Sequence, residues 1–169
     1  ANDAAPGNVD DVADRSYGQS ANVFIGRARY DLYSESFLGA IFTNREFLDS
    51  HSRLGGVDGN FRLSRTQSLG FRAMQTEHQD LDQRQSSGQM FDVNYRMSSR
   101  HWSAFVSGYT LSPDFMTDVG FVRRVDQKRV SSNLSYRWRP ETWVLNWGPR
   151  FNYARNWNFD DILEDEEAR

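Results

Sequence analysis

The stretch "FDVNYRMSSRHWSAFVSGY", residues 91–109, constrains this chain more than any other feature. Phe91, Val93, Tyr95 and Met97 alternate with Asp92, Asn94, Arg96 and Ser98; a polar break follows, and another run opens at Trp102. Successive side chains of a strand point to opposite faces, so this spacing gives a ribbon with one greasy face and one bearing Asp, Asn and Arg. A soluble sandwich would turn that polar face to water. A membrane barrel would turn the apolar face to lipid and the polar face to a lumen.

About eight such runs can be traced. "NVFIGRARYDLY" sets Phe24, Gly26, Ala28, Tyr30 and Leu32 against Arg27, Arg29 and Asp31. "FLGAIFTNRE" is apolar on both faces before it reaches Asn44 and Arg45. "GGVDGNFRLS" sets Val57, Gly59, Phe61 and Leu63 against Asp58, Asn60 and Arg62, and "SLGFRAMQTE" sets Leu69, Phe71 and Ala73 against Arg72 and Thr76. The run at 91–98 is the fifth; "WSAFVSGYTL" is the sixth, with no register that alternation alone fixes. "RVSSNLSYRWR" sets Val130, Leu134, Tyr136 and Trp138 against Ser131, Asn133, Ser135 and Arg137. "VLNWGPRFNYARNW" sets Leu145, Trp147, Pro149, Phe151 and Tyr153 against Asn146, Arg150 and Asn152. Pro149 cannot donate to a ladder and marks a bulge or an unpaired position.

The runs predict an all-β antiparallel up-and-down meander of about eight strands over 21–157, an outer-membrane β-barrel or a section of a larger one. Residues 1–20 read as a polar loop or leader and 158–169 as an acidic loop or tail. Short connections at 34–36, 64–67, 98–101 and 139–142 alternate with long polar ones at 47–53, 78–88 and 112–127. In a meander all the short ones then share one end, as periplasmic turns do. Aromatics also group: Tyr33, Phe37, Tyr95, Trp102, Trp138 and Trp143 beside the short turns, and Phe24, Phe42, Tyr109, Tyr153 and Trp157 toward the long loops. Two such belts suit two lipid–water interfaces.

Composition agrees with one domain of 169 residues. A net charge of −3 and a pI near 5.6 give no basic field for nucleic acid. Lys128 is the only lysine, and guanidinium groups suit crowded polar interiors better than ammonium groups do. With no cysteine, disulfides, thiolate metal sites and thiol nucleophiles are excluded. Mean hydropathy is −0.75, and no run approaches the ~18 apolar residues of a spanning helix; barrel strands need only ~9–11, half of them polar. The chain opens at Ala1 with no visible signal peptide, the expectation for a mature form or an excised section.

On this reading the lumen row is Arg27, Arg29, Asp31, Asp58, Asn60, Arg62, Arg72, Asp92, Asn94, Arg96, Asn133, Arg137, Arg150 and Asn152. Ionic groups there must be wet or mutually paired. Their expected role is to fill the lumen with ion pairs, and any conduction is expected to favour anions because arginine is in excess.

The stretches "GAIFTNRE" (39–46), "GVDGNFRL" (56–63) and above all "SPDFMTDVGFVRR" (112–124) resemble the C-terminal barrel region of large outer-membrane proteins of Gram-negative bacteria. In that family a module related to family-nine carbohydrate-binding domains precedes a barrel region of unknown function. The resemblance covers most of 20–157. It implies a section of a larger barrel in the outer membrane, partnered by lipid, with carbohydrate bound only through an N-terminal module outside this sequence. It transfers no catalytic residue. Its best motif supplies a loop site of Asp118, Gly120, Phe121, Arg123 and Arg124. The two arginines are expected to pair with Asp118 or Asp126, or alternatively to meet phosphate or sugar-acid groups.

Other chemistry is weaker. His51, His78 and His101 lie far apart, the first two in expected long loops, so no metal and no cofactor is expected. Asp49, Ser50, His51 and Ser52 are adjacent in "LDSHSR", but no nucleophile elbow surrounds Ser50, and a lipid-modifying enzyme is the second alternative. Asp80 with Asp82, and Asp160 with Asp161, read as solvated loop charge. The main rival is a soluble β-sandwich that stacks sugars on Trp102, Trp143 and Trp157.

Overall fold

The computed structural model describes residues 2–4, 17–120, 122–140 and 146–169. Its strands are β1 (Asn2–Ala4), β2 (Ser20–Asp31), β3 (Phe37–Phe47), β4 (Ser50–Ser64), β5 (Gln67–Gln79), β6 (Gln85–Ser98), β7 (Trp102–Leu111), β8 (Gln127–Tyr136), β9 (Arg150–Trp157) and β10 (Leu163–Ala168). They form one sheet in the order β1 to β10, every neighbouring pair antiparallel. The chain is therefore an all-β up-and-down meander, open among the described residues, since no pairing joins β10 to β1.

The eight runs of the sequence are β2 to β9, and the faces fall as alternation predicts. Registers Ala28↔Ala40, Ala40↔Val57, Val57↔Ala73 and Ala73↔Phe91 carry one apolar face across five strands. Registers Asp58↔Arg72 and Arg72↔Asp92 carry the polar face. The sixth run takes its register from its neighbours: Tyr95↔Val106 and Gly108↔Val130 put Trp102, Ala104, Val106 and Gly108 on the apolar face.

Over the middle of the sheet the face that is covered is the reverse of a soluble sheet's. Along β6, Phe91 and Val93 are 53% and 50% exposed, while Asp92 and Asn94 are partly buried; from Tyr95 to Ser98, toward the turn, the order reverses, with Tyr95 and Met97 partly buried and Arg96 and Ser98 exposed. Along β3, Leu38, Ala40 and Phe42 are exposed, while Gly39 and Thr43 are buried. Tyr30, Val57, Trp102, Leu134 and Phe151 are likewise exposed on the apolar face. All described strands lie in one sheet, and none packs over that face.

Four expectations need correction. The acidic segment after Trp157 contains β10, paired along β9 from Trp157 to Tyr153, and residues 2–4 pair with β2. Glutamate is a poor strand former, so propensity pointed to a tail; the open edge of β9 supplies the backbone partners instead.

The contrast of short and long connections also fails. Residues 50–53 belong to β4, leaving only Leu48 and Asp49 between β3 and β4, with Leu48 at φ 52°. Residues 80–84 alone join β5 to β6. The polar residues at these positions are strand extensions beyond the apolar band, which in β4 runs from Gly55 to Leu63 over roughly 27 Å at ~3.4 Å per residue. On the same face beyond it stand Arg53, Gln75, Glu77 and Gln89. Of the three expected long internal connections, 112–126 alone keeps its length.

The short turn expected at 139–142 is replaced by a longer hairpin. Trp138 pairs with Trp147 beyond β8 and β9, and 141–145, with Trp143 and Leu145, lie outside the described residues.

The aromatic groups lose two members. Phe37 and Tyr109 sit on the polar face, Phe37 beneath the Arg29 guanidinium at 3.9 Å from its ring centroid. The short-turn group keeps Trp102 against Tyr136 (4.9 Å between centroids) and Trp138 against Trp147 (5.3 Å).

Candidate functional site

The polar face is a hydrogen-bonded surface built by side chains that period two sends to one side. Arg27 Nη2 donates to both oxygens of Asp58, at 2.8 and 3.1 Å, reaching over the intervening β3. Arg72 Nη2 donates to Asp92 Oδ2 at 3.4 Å, and Asn94 Nδ2 donates to Asp92 Oδ1 at 3.3 Å. Arg29 Nε donates to Asp31 at 2.8 Å. Arg62 donates to Glu35 at 2.9 Å and to the Ser64 and Arg65 carbonyls, while Asn60 Nδ2 reaches the Glu35 carbonyl at 3.4 Å.

Across β7 to β9 the pairs are neutral. Ser103 meets Ser135 and Ser107 meets Ser131, each at 2.7 Å, and Asn133 donates to Asn152. Arg96 lies over the Phe105 ring, Arg150 stands opposite Ser135, and the Arg137 amide donates to the His101 carbonyl. Every residue of the expected row that lies in a strand falls on this face.

The connection 112–126 folds back over the same face at the end away from the 32–36 and 65–66 turns. Its amides dock first: Met116 N–H on Thr76 Oγ1 at 3.4 Å, and Asp118 N–H on Ser52 Oγ at 3.1 Å. The Asp118 carboxylate then accepts from Arg45 Nη1 at 3.2 Å and lies 3.8 Å from His78 Nδ1. Phe115, 6% exposed, packs with Leu54 and Leu111, joined by Ile41, Met74, Met90, Tyr109, Val122 and Val125. Gly88 permits the approach, since a Cβ there would stand 2.2 Å from Phe115 Cα.

The loop motif therefore divides. Asp118 pairs with Arg45 rather than with Arg123 or Arg124. Arg124 pairs with Glu164 of β10, and Asp126 accepts the Phe159 amide at 2.8 Å. Arg123 and Gly120 border the apolar cluster, and Phe121 lies outside the described residues. Sequence reasoning missed Arg45, Ser52, Thr76 and His78 as the dock. Its one available signal was the apolar residues on the polar side, Ile41, Leu54, Met74 and Met90.

His51 and His78 lie in β4 and β5, not in loops. Ser50 and His51 are consecutive strand residues and so face opposite ways; the Ser50 hydroxyl donates to the Phe47 carbonyl at 2.7 Å. Among the described residues no three His, Asp or Glu gather as a metal site. No protein-family model, curated protein or solved structure matches the chain.

Proposed function

We propose that this chain is a non-enzymatic section of an outer-membrane β-barrel from a Gram-negative bacterium. Its Phe/Tyr/Leu face meets lipid and its Arg/Asp/Asn face lines a lumen. It serves as membrane anchor or polar conduit of a carbohydrate-associated surface protein. The observation that carries this is the inverted coverage in the middle of the sheet, where Ala40 and Phe42 of β3 and Phe91 and Val93 of β6 are exposed while Gly39 and Thr43 are buried and Asp92 and Asn94 are paired and partly covered. In water an uncovered apolar face of this extent is an association hazard; in hydrocarbon it is the required surface. A sandwich would need a second sheet over it. The sugar association rests on the resemblance at 39–46, 56–63 and 112–124 and belongs to a module outside this sequence.

The lipid band belongs to β2 through β9. In β10, register partners put Glu166 beside Arg155 on the apolar side and Asp165 and Glu167 on the other, so charge appears on both faces. This edge adjoins protein or water.

Cell fractionation tests the proposal. The full-length protein, expressed in a Gram-negative host, is expected in the outer-membrane fraction and to stay there through alkaline carbonate washing. A protein released by carbonate that remains monodisperse without detergent would overturn it.

A further inference from the structure

We propose that the apolar pocket between the 112–126 connection and the polar face binds an amphiphilic carboxylate, with its chain in the pocket and its head on Arg123. This rests on the barrel reading only for where the pocket lies.

The pocket breaks the logic of the face around it. Elsewhere that face is mostly Arg, Asp, Asn and Ser, yet here Leu54, Met74, Met90 and Leu111 project from four adjacent strands. Phe115 and Val122 of the connection close over them. Together they line an open cavity of about 420 Å³. That lies within the ~300–1,000 Å³ of small-molecule sites, which are mostly apolar with a few polar groups fixing orientation.

The polar groups at its border are cationic or neutral. Arg123, Arg124, Gln127, Thr117 and the Tyr109 ring line it, with no Asp or Glu among the lining residues. Glu164 already engages Arg124. Arg123 is exposed and has no carboxylate partner among the described residues. An apolar bowl with one uncommitted guanidinium at its rim selects a ligand with a short apolar body and an acidic head. A carboxylate matches the planar donor fork of arginine in both charge and geometry. Met74 and Met90 in the wall suit a flexible chain, because the thioether side chain adapts its shape.

The test is equilibrium dialysis of radiolabelled octanoate against the full-length protein in lipid nanodiscs, with empty nanodiscs subtracted and 1-octanol as the uncharged comparator. Saturable octanoate binding is expected. Arg123→Gln is expected to weaken octanoate about tenfold, the loss of one charge-assisted contact, and to leave octanol within about twofold. Met90→Phe, which fills the bowl, is expected to weaken both ligands. Leu54→Phe repeats that test from a second strand should the first variant fold poorly.

Octanoate uptake that does not saturate above empty nanodiscs would overturn the proposal, as would an Arg123→Gln protein that binds octanoate like the parent. Heat-modifiable migration of the same samples scores barrel formation separately. A barrel that inserts without binding defeats the pocket alone; a lipid-free soluble protein that binds octanoate defeats the barrel alone.

Discussion

Arg27 on β2 and Asp58 on β4 are joined across β3, and Gly39 is what lets them meet. The guanidinium holds both carboxylate oxygens at 2.8 and 3.1 Å, and a Cβ on Gly39 would stand 2.6 Å from Asp58 Oδ1. The Asp58 side chain is 12% exposed and that of Arg27 52%, so solvent weakens the pair without removing it. Gly39→Ala should displace the carboxylate and cost about 1–2 kcal/mol in urea unfolding from detergent or lipid. In an Asp58→Ala background the same substitution should cost much less. Equal costs in both backgrounds would show that the pair is not what Gly39 accommodates.

The docking of 112–126 depends on bare backbone at Gly88. Phe115 Cα has no flexible atom to withdraw, so Gly88→Val should lift the connection off β5 and β6. Limited proteolysis within 112–126 is expected to accelerate at least about tenfold, with a smaller acceleration for Asp118→Asn, which loses one charge-assisted bond of a docked segment. Unchanged cleavage in Gly88→Val would mean that the connection is held elsewhere.

Charge should be tolerated on one face only. Val93→Arg puts a guanidinium on the apolar face of β6 and is expected to cost ~2–4 kcal/mol in reversible folding into lipid vesicles. Ser107→Arg, on the opposite face in β7, should cost less than about 1 kcal/mol, because it exchanges a hydroxyl pair for a charge in a polar setting. Equal penalties would contradict the assignment of faces.

In the polar row arginines outnumber aspartates, and Asp58 and Asp92 are each already held by an arginine. If the assembled barrel conducts, the reversal potential in a potassium chloride gradient should report anion preference, weakened in Arg29→Gln with Arg96→Gln. Firm cation selectivity in the parent would contradict that.

The strands and their faces were legible because lipid or core on one side imposes a strict period of two, as at 91–98 and 130–138. Legibility failed where a third element intrudes. "FLGAIFTNRE" read as apolar on both faces and "WSAFVSGYTL" fixed no register because Ile41, Tyr109 and Leu111 lie under the 112–126 connection, a tertiary contact that no local spacing reports. "LDSHSR" resembled a loop because strands that extend beyond the apolar band lose their hydrophobic alternation while keeping their ladder. β10 was invisible for a related reason: its pairing follows from the free edge of β9 and not from its own acidic residues. Of the candidate site, the ion-paired row was readable from sign and parity. The dock for Asp118 was not, since Arg45, Ser52 and His78 come from three different strands.

The most direct measurement is a nitroxide scan of β6 in lipid vesicles, with one label at a time at positions 91 to 97 and collision rates measured with oxygen and with a water-soluble nickel chelate. A lipid-facing Phe/Val/Tyr/Met side gives oxygen maxima at 91, 93, 95 and 97, with nickel maxima, if any, at 92, 94 and 96. Labels at 91, 93, 95 and 97 that meet neither reagent, beside labels at 92, 94 and 96 freely open to nickel, would mean a dry protein interior on the apolar side and bulk water on the other, and would contradict the membrane barrel.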